Sequence, residues 1–251
     1  MRIVVIGGTG LIGSKLVTEL GAHGHEAVPA SPRSGVDVLT GAGLAEALAG
    51  ADVVVDVSNS PSFEETAVLE FFTTATTNIL AAAAAAGVRH YVALSVVGTE
   101  RLPDSGYMRA KVLQERLIES SPMPYTIVHA TQFFEFFEGI AQSATVGDHV
   151  HLPSALVRPM AADDVAKALA QVAVGEPRNG VLEIAGPEVF GLDAFVAHGL
   201  KARGDARIVI ADPNARYFGA ILSGRELLPD SGAALSATTF DTWLDRTRPV
   251  A

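Results

Sequence analysis

Along residues 1–130, continuous apolar runs typical of buried strands are followed by segments whose apolar residues have helical spacing. Residues 2–6 form a β-branched run that ends at a glycine turn, as expected of a strand buried on both faces. Residues 11–22 then carry apolar side chains at helical spacing. The same order repeats, which predicts strands at 25–30, 36–39, 52–57, 91–97 and 125–129 and helices at 44–48, 63–86 and 107–119.

Strands and helices that alternate through short connections predict right-handed crossovers and a parallel sheet. The expected fold class is α/β, a doubly wound Rossmann sheet whose ligands bind at the carboxyl ends of the strands. Beyond Thr131 the alternation weakens, and the predicted elements are a strand near Val150, a helix at 163–174 and a strand at 181–184. We expect residues 1–131 to form the nucleotide-binding core. Residues 132–251 should complete the sheet and form a small substrate-binding lobe, with a soft boundary.

Composition narrows the possible functions. Hydrophobic residues make up 49% of the 251 positions and charged residues 18%, which suits a buried sheet and argues against disorder. The formal net charge is −10, and the 18 lysines and arginines form no basic run, so we expect no nucleic-acid partner. The absence of cysteine excludes disulfides, thiolate catalysis and cysteine-bound zinc.

Hydropathy gives no sign of a membrane segment. The longest apolar stretch, at 79–87, is an alanine run too short and too weakly hydrophobic to cross a bilayer. The N-terminal residues lack the pattern of a secretory signal. We therefore expect a cytoplasmic protein with no membrane partner, present as a monomer or a homodimer.

The glycine turn after the first strand has the spacing of a dinucleotide loop. Gly7, Gly10 and Gly13 stand three apart, directly after a buried strand and directly before a helix. Gly7 suits a tight turn, Gly10 a close approach of the pyrophosphate, and Gly13 close helix packing. A glycine turn without a ligand is the alternative. The predicted cofactor loop comprises Gly7, Thr9, Gly10, Leu11, Ile12 and Gly13.

Residues after the second strand indicate which dinucleotide binds. An acidic side chain there usually accepts the ribose 2′-OH of NAD, whereas a 2′-phosphate requires a cation. Ser31 and Arg33 follow this strand and offer a hydroxyl and a guanidinium. We therefore favour NADP(H), and NAD(H) remains possible if Asp37 contacts the ribose while Arg33 is only a solvated loop residue.

A tyrosine and a lysine begin the helix at 107–119. Tyr107 and Lys111 are four residues apart, so both should project from one helix face about 6 Å apart along the axis. A nearby ammonium should lower the phenol pKa and suit Tyr107 to acid–base catalysis. Ser95, at the end of the preceding strand, is the candidate for orienting a substrate carbonyl. The alternative is an unrelated helix-start tyrosine and surface lysine.

These residues together resemble the short-chain dehydrogenase/reductase superfamily. The similarity rests on the loop at 7–13, on Tyr107-x-x-x-Lys111 and on Ser95. More narrowly, residues 56–60 and 125–134 are similar to the atypical NmrA-like branch that binds NAD(P)H.

The resemblance implies roles for further residues. Ser58 and Asn59 would approach the cofactor, and Lys111 would contact the nicotinamide ribose. His129, Thr131 and Gln132 would line the nicotinamide. Residues 58–61 depart from the pattern, because they read Ser-Asn-Ser-Pro where ordinary short-chain enzymes have Asn-Asn-Ala-Gly.

An aromatic patch follows the sixth strand in the chain, close to where the nicotinamide is expected. We predict an apolar substrate pocket there, with core packing as the alternative of equal weight. The predicted substrate residues are Phe133, Phe134, Phe137, Tyr217 and Phe218.

The remaining polar residues are assigned no chemistry. His149 and His151 would share one strand face, but two histidines without a third ligand rarely hold a metal, so no metal site is expected. Glu135 and Glu138 are interpreted as a solvated edge beside the aromatic patch, and Asp163 as a helix N-cap.

Three functional hypotheses follow. The first is an NADP(H)-dependent oxidoreductase that transfers hydride to an apolar carbonyl or quinone-type small molecule, with Tyr107 exchanging the proton, Lys111 tuning it and Ser95 orienting the substrate. The second is a redox-sensing regulatory protein that binds NADP(H) without turnover. The third is a non-redox isomerase or lyase on the same scaffold.

Overall fold

The chain folds around one parallel sheet with helices on both faces. A computed structural model describes residues 1–248, so the end of the predicted C-terminal part, at 249–251, lies outside the described residues. The main-sheet strands are β1 (Arg2–Ile6), β2 (Glu26–Ala30), β3 (Val53–Asp56), β4 (His90–Val96), β5 (Tyr125–Ala130), β9 (Gly180–Ala185) and β14 (Ala234–Leu235). The helices are α1 (Leu11–Ala22), α2 (Leu44–Leu48), α3 (Glu65–Ala86), α4 (Gly106–Glu119), α5 (Phe137–Ser143), α6 (Ala162–Val174), α7 (Leu192–Arg203) and α8 (Phe240–Arg246). The shorter sheets contain β6 (Thr145–Val146), β7 (His149–Leu152), β8 (Leu156–Val157), β10 (Phe190–Gly191), β11 (Ile208–Ala211), β12 (Arg216–Tyr217) and β13 (Ala220–Ile221).

Within residues 1–248 the main sheet has seven strands in the order β2-β1-β3-β4-β5-β9-β14, and every pair is parallel. This arrangement confirms the predicted doubly wound α/β class. Strand order reverses at β1, since β2 lies on one side of it and β3 on the other. Ligands of such sheets bind in the crevice above this reversal, which therefore locates the candidate site.

The predicted strand at 36–39 is wrong. Its backbone turns instead, because the Asp37 carboxylate accepts a hydrogen bond from the Leu39 amide at 2.8 Å. The Asn78 side chain in α3 donates to the carbonyls of Val38 at 2.9 Å and Leu39 at 3.0 Å. These side-chain contacts use backbone groups that a strand would pair with its neighbour.

Both faces of the central strands are buried. Ile3 and Val5 pack against α1 and α6, whereas Val4 and Ile6 pack toward α3. A strand buried on both faces needs no polar positions, which explains its continuous apolar run. Each such side chain contributes about 1.5–3 kcal/mol of burial free energy.

Among the described residues, α3 is the helix whose length and hydropathy would allow a membrane span. Its buried side chains lie against the sheet and α4, and they include Phe71, Phe72 and Ile79. A core helix satisfies the same criteria of length and hydropathy, and α3 packs as one.

The C-terminal part adds β9 and β14 to the main sheet and builds a second apolar core. Phe134 and Phe137 are 0% and 1% exposed in this core, where they pack against Phe195, Phe240 and Trp243. Their predicted role as substrate residues is therefore wrong. Aromatic side chains that contact one another on all sides form a core and not a pocket wall.

Glu135, interpreted from sequence as a solvated residue, instead caps α6. Its carboxylate accepts hydrogen bonds from the Ala162 amide at 3.1 Å and from Trp243 Nε1 at 3.1 Å. Burial raises the pKa of Glu135, and these hydrogen bonds partly offset the rise. The predicted N-cap at Asp163 is wrong, because α6 starts after Ala161 and Asp163 pairs with Lys15 at 2.8 Å.

The glycine turn joins β1 to α1 through close backbone contacts. Gly7 has φ +79°, and its amide donates to the Ala30 carbonyl of β2 at 2.9 Å. A Cβ on Gly13 would lie 2.7 Å from Gly8 Cα and closer still to the Gly7 carbonyl oxygen. The helix therefore approaches the turn at a distance that only glycine permits.

We expect Gly13→Ala to destabilise the protein by about 1–3 kcal/mol or more, because the added methyl group collides with backbone. Gly21→Ala is the matched control, since a Cβ at this position of α1 has open space around it. Alanine should there be neutral or stabilising. Chemical denaturation of both variants tests the packing, and equal stabilities would contradict it.

Candidate functional site

The loops that follow β1 and β3 touch each other at the carboxyl edge of the sheet. A Cβ on Gly7 would lie 2.9 Å from the Val57 carbonyl oxygen and 3.0 Å from Ser58 Cα. The glycine turn and the segment with Ser58 and Asn59 are thus adjacent, at the point where strand order reverses. The sequence placed these residues in one site, and the structure brings them together.

The N-terminus of α1 is open to an anion. Gly10 is its N-cap, and no side chain among the described residues caps this helix. The Gly10 amide itself closes the turn by donating to the Gly7 carbonyl at 2.9 Å. The free amides that follow, at Leu11 and Ile12, together with the helix dipole, suit a pyrophosphate group.

The segment after β2 supplies the side chains predicted to recognise the ribose. Ser31 is 5% exposed, and its hydroxyl has no hydrogen-bond partner among the described residues. Arg33 is exposed beside it. The Asp37 carboxylate accepts from the Leu39 and Thr40 amides, and the hydrogen bond from Leu39 chiefly holds its pKa below the usual value. These residues and the open helix N-terminus fit an NAD(P) dinucleotide.

Asp56 anchors the loop after β3 and was missed as a site residue by sequence reasoning. It is 1% exposed and accepts four hydrogen bonds: the Ser58 amide at 3.0 Å, the Ser58 hydroxyl at 2.6 Å, the Tyr91 hydroxyl at 3.0 Å and Gln114 Nε2 at 3.2 Å. A buried carboxylate with this many donors holds its surroundings rigidly. Asp56 thereby orients the loop that carries Asn59.

Tyr107 stands at the start of α4 and points toward this loop. Its hydroxyl donates to Asn59 Oδ1 at 3.3 Å. Its ring lies among Phe63, Phe72 and Phe218, with centroids 5.6–6.3 Å away. Burial raises the pKa of Tyr107 to about 12. The predicted lowering of this pKa by Lys111 is therefore wrong, and Tyr107 is protonated throughout the neutral range.

Lys111 lies inside the protein, four residues after Tyr107 on α4. It is 2% exposed, and its ammonium donates to the Leu94 carbonyl at 3.0 Å and to Gln114 Oε1. The ammonium also lies 4.4 Å from the centroid of the Phe72 ring. Burial lowers the pKa of Lys111 to about 8, against the opposing charges of Asp56 and Glu115. The Phe72 ring lies beside both the Lys111 ammonium and the Tyr107 ring, and the predicted cooperation of phenol and ammonium stays a prediction.

Ser95 and His129 also face the inner side of α4. The Ser95 hydroxyl donates to Glu115, and His129 Nε2 lies 3.1 Å from the same Glu115 oxygen. His129 and Glu115 border a cleft of about 570 Å³ beside β9. Both side chains are engaged with Glu115, and the predicted roles of Ser95 in orienting substrate and of His129 in lining nicotinamide stay predictions. Strand periodicity places Ser95 on the same face of β4 as Tyr91.

Thr131 and Gln132 follow β5 at the carboxyl edge, as expected for the cofactor side. Both are buried, and the Thr131 hydroxyl donates to the Arg158 carbonyl at 2.7 Å. Tyr217 contacts Gln132 and lies near Tyr107, and burial raises the pKa of Tyr217 above its usual value. The structure therefore places Tyr217 at the candidate site.

The other predicted substrate residues divide between core and site. Phe133 is half-buried and packs on Phe136 with ring centroids 5.3 Å apart. Phe218 is 46% exposed and lies beside Tyr107. Phe63, 58% exposed, joins them and was missed, because its ring neighbours Tyr107 and Phe218 lie far along the chain.

Within residues 1–248 no group of three histidine, aspartate or glutamate side chains is arranged to hold a metal. His149 instead pairs with Asp148 at 2.8 Å, and His151 lies 3.4 Å from Asp212. His149 Nδ1 thus lies beside Asp148, and His151 Nδ1 lies beside Asp212.

Residues 7–175 match the NAD(P)H-binding family, and the chain belongs to that family. The chain is 30% identical over 208 residues to the (4-alkanoyl-5-oxo-2,5-dihydrofuran-3-yl)methyl phosphate reductase of Streptomyces griseus, covering 74% of this chain and 68% of the relative. It is 28% identical over 224 residues to the chloroplastic divinyl chlorophyllide a 8-vinyl-reductase of Cucumis sativus, again over 74% of this chain. The match spans 53% of that longer protein.

Solved structures share the fold at lower identity. An NADPH-dependent quinone oxidoreductase from Escherichia coli superposes with a TM-score of 0.69 at 18% identity, covering 98% of this chain and 99% of that chain. A nucleoside-diphosphate-sugar epimerase from Staphylococcus aureus superposes with a TM-score of 0.70 at 15% identity, over 100% of this chain and 98% of that chain. The fold is thus shared with this reductase and this epimerase.

Lys111 should make stability rise with pH. Its pKa is about 8 in the folded state against an ordinary 10.5, so between these values the unfolded chain binds more protons and deprotonation favours folding. Below about pH 9 tyrosines, whose ordinary pKa is about 10, remain mostly protonated in both states and do not oppose the rise.

We therefore expect Lys111→Met to abolish the rise of the unfolding free energy with pH. In wild type the slope of this rise approaches about 1.4 kcal/mol per pH unit between the two pKa values of Lys111. Denaturant titrations at successive pH values measure it, with the exposed Lys201→Met as control. Parallel curves for wild type and Lys111→Met would show that Lys111 keeps an ordinary pKa.

Proposed function

We propose that the protein is an NADP(H)-dependent oxidoreductase of the short-chain dehydrogenase/reductase type, in its NmrA-like branch, acting on an apolar carbonyl or quinone-type substrate. The observation that carries this proposal is the position of Tyr107. A protonated phenol lies among aromatic rings and donates to Asn59, on the loop that touches the glycine turn. The relatives named as reductases and the quinone oxidoreductase with this fold support the same class.

The preference for NADP(H) rests on the segment after β2. Arg33 is exposed there, and the buried Ser31 hydroxyl has no partner among the described residues. Both groups suit a 2′-phosphate, since a guanidinium and a hydroxyl donate hydrogen bonds to phosphate oxygens. The Asp37 carboxylate is occupied by its own turn, which argues against the NAD alternative.

Tyr107 is the proton donor in the proposed reaction. The bound cofactor supplies the hydride that the substrate carbon accepts. Tyr107 donates its hydroxyl proton to the substrate oxygen, which yields an alcohol or hydroquinone, and solvent returns a proton to the phenolate. Asn59 orients the phenol, and Asp56 fixes Asn59 through Ser58. Lys111 contributes from inside the fold by holding Gln114 and the end of β4, and we assign Ser95 no part in the reaction.

A specific observation favours the second candidate, an NADP(H)-binding regulatory protein without turnover. Lys111 and Ser95 both hydrogen-bond to groups within the core, whereas the Tyr107 hydroxyl bonds to Asn59. A dinucleotide site without an assembled proton relay could signal cofactor state by binding alone. The two candidates differ in one measurable property, the oxidation of NADPH by an added acceptor.

We expect Tyr107→Phe to lower turnover of NADPH with naphthoquinone or aryl ketone acceptors by about 10²–10⁴-fold, as for loss of a general acid. Tyr125→Phe, at the start of β5 and remote from the site, is the matched control. Absorbance at 340 nm measures the rate, and calorimetry measures NADPH binding to each variant. Wild type that binds NADPH but oxidises none would favour the regulatory protein, and full activity of Tyr107→Phe would remove the phenol from the mechanism.

Arg33→Ala should weaken NADPH binding by about ten-fold or more while leaving NADH binding unchanged, because a charge-assisted hydrogen bond contributes about 1.5–3 kcal/mol. Arg178→Ala, exposed ahead of β9, removes the same charge at the opposite edge of the sheet and serves as control. Titrations with both cofactors give the ratio of affinities. If Arg33→Ala left the ratio of NADPH to NADH affinity unchanged, the alternative in which Asp37 contacts the ribose of NAD(H) would be favoured.

A further inference from the structure

The hairpin formed by β12 and β13 has an unusual residue at its tip. Tyr217 pairs with Ala220, and the two residues between them, Phe218 and Gly219, both have left-handed backbone, with φ +47° and φ +88°. Two central residues with positive φ are the pattern of a type I′ turn, which favours asparagine, aspartate or glycine at its first position. A phenylalanine at that position is strained.

Burial of the Phe218 ring does not account for this strain. Phe218 remains 46% exposed, and Phe63, which packs against it at 5.9 Å, remains 58% exposed. Both rings flank Tyr107, at 6.3 Å and 5.6 Å between centroids. Strained residues of this kind persist mainly where function requires them.

The strained tip is held firmly beside α4. Arg216 Nη1 donates to the Gly219 carbonyl at 2.7 Å and closes the hairpin. A Cβ on Gly219 would meet the Asp104 carbonyl oxygen at 3.7 Å, so the tip touches the loop that precedes Tyr107. Phe63 belongs to a different loop, between β3 and α3. Two separate loops thus bring exposed aromatic rings to the ring of Tyr107, whose hydroxyl we propose as the proton donor.

We propose that Phe63 and Phe218 form an aromatic clamp that stacks on the flat face of a conjugated ring in the substrate. This inference rests on the proposed function and narrows its substrate class to planar aromatic or quinoid carbonyls. A ring held against these side chains places its carbonyl oxygen within reach of the Tyr107 hydroxyl. Ring centroids 4.5–7 Å apart are the ordinary range for aromatic stacking, and a rigid tip reduces the entropy lost on binding.

The decisive variant is Phe218→Asn, because asparagine accepts left-handed backbone and removes only the ring. We expect its melting temperature to rise, while its kcat/KM ratio for menadione over 2,3-butanedione falls about ten-fold, the upper worth of an aromatic stack. Phe63→Leu should lower the same ratio. Phe136→Leu removes another exposed ring, one that packs on Phe133 rather than on Tyr107, and should leave the ratio unchanged. A lower melting temperature for Phe218→Asn, or an unchanged ratio in it and in Phe63→Leu, would overturn the clamp.

A binding measurement separates failure of the clamp from failure of the proposed function. 2-Naphthol, a planar ring that NADPH does not reduce, is titrated into wild type and the two clamp variants by calorimetry. Binding that Phe218→Asn and Phe63→Leu weaken would support the clamp even if wild type oxidised no NADPH. Equal binding by all three proteins, with menadione still reduced, would overturn the clamp and leave the oxidoreductase standing.

Discussion

The contact between α1 and the glycine turn is the constraint on which the dinucleotide site depends. Gly13 brings the helix onto the Gly7 carbonyl, and Gly7 in turn lies against the loop that follows β3. Because each of these contacts is between backbone atoms, no side chain can adjust to relieve a change in them. These contacts therefore fix the relative positions of three parts of the site: the open helix N-terminus, the segment after β2 and the loop that carries Asn59.

A second constraint lies beneath the site, between the sheet and α4. Asp56 is held by Ser58, Tyr91 and Gln114, and Gln114 also accepts from Lys111. Buried charges of opposite sign are thus linked through a neutral amide, which satisfies both without direct contact. The same arrangement gives the Lys111 ammonium hydrogen-bond partners inside the core. Lys111 thereby orders the core under the site.

The mouth of the site is aromatic and comes from distant parts of the chain. Phe63, Tyr107 and Phe218 lie on three separate segments, and Tyr217 adds a fourth ring edge-on to Phe218 at 4.7 Å. The other large aromatic group, around Phe134 and Phe240, is sealed inside the C-terminal core. Two clusters of similar composition thus have different roles, since exposure and neighbours decide which one can meet a ligand.

The sequence by itself determined the fold class and the glycine turn, because both depend on local periodicity and on residues adjacent in the chain. It also named Tyr107, Asn59 and Phe218 as candidate site residues, and the structure places Tyr107 beside both of the others. Only the tertiary structure decided where Lys111, Ser95 and His129 point, because that direction depends on which side of α4 or the sheet each residue faces. Likewise Asp56, Phe63 and the burial of Phe134 depend on partners far along the chain. Local pattern fixes what an element is, whereas packing between elements decides which side chains meet.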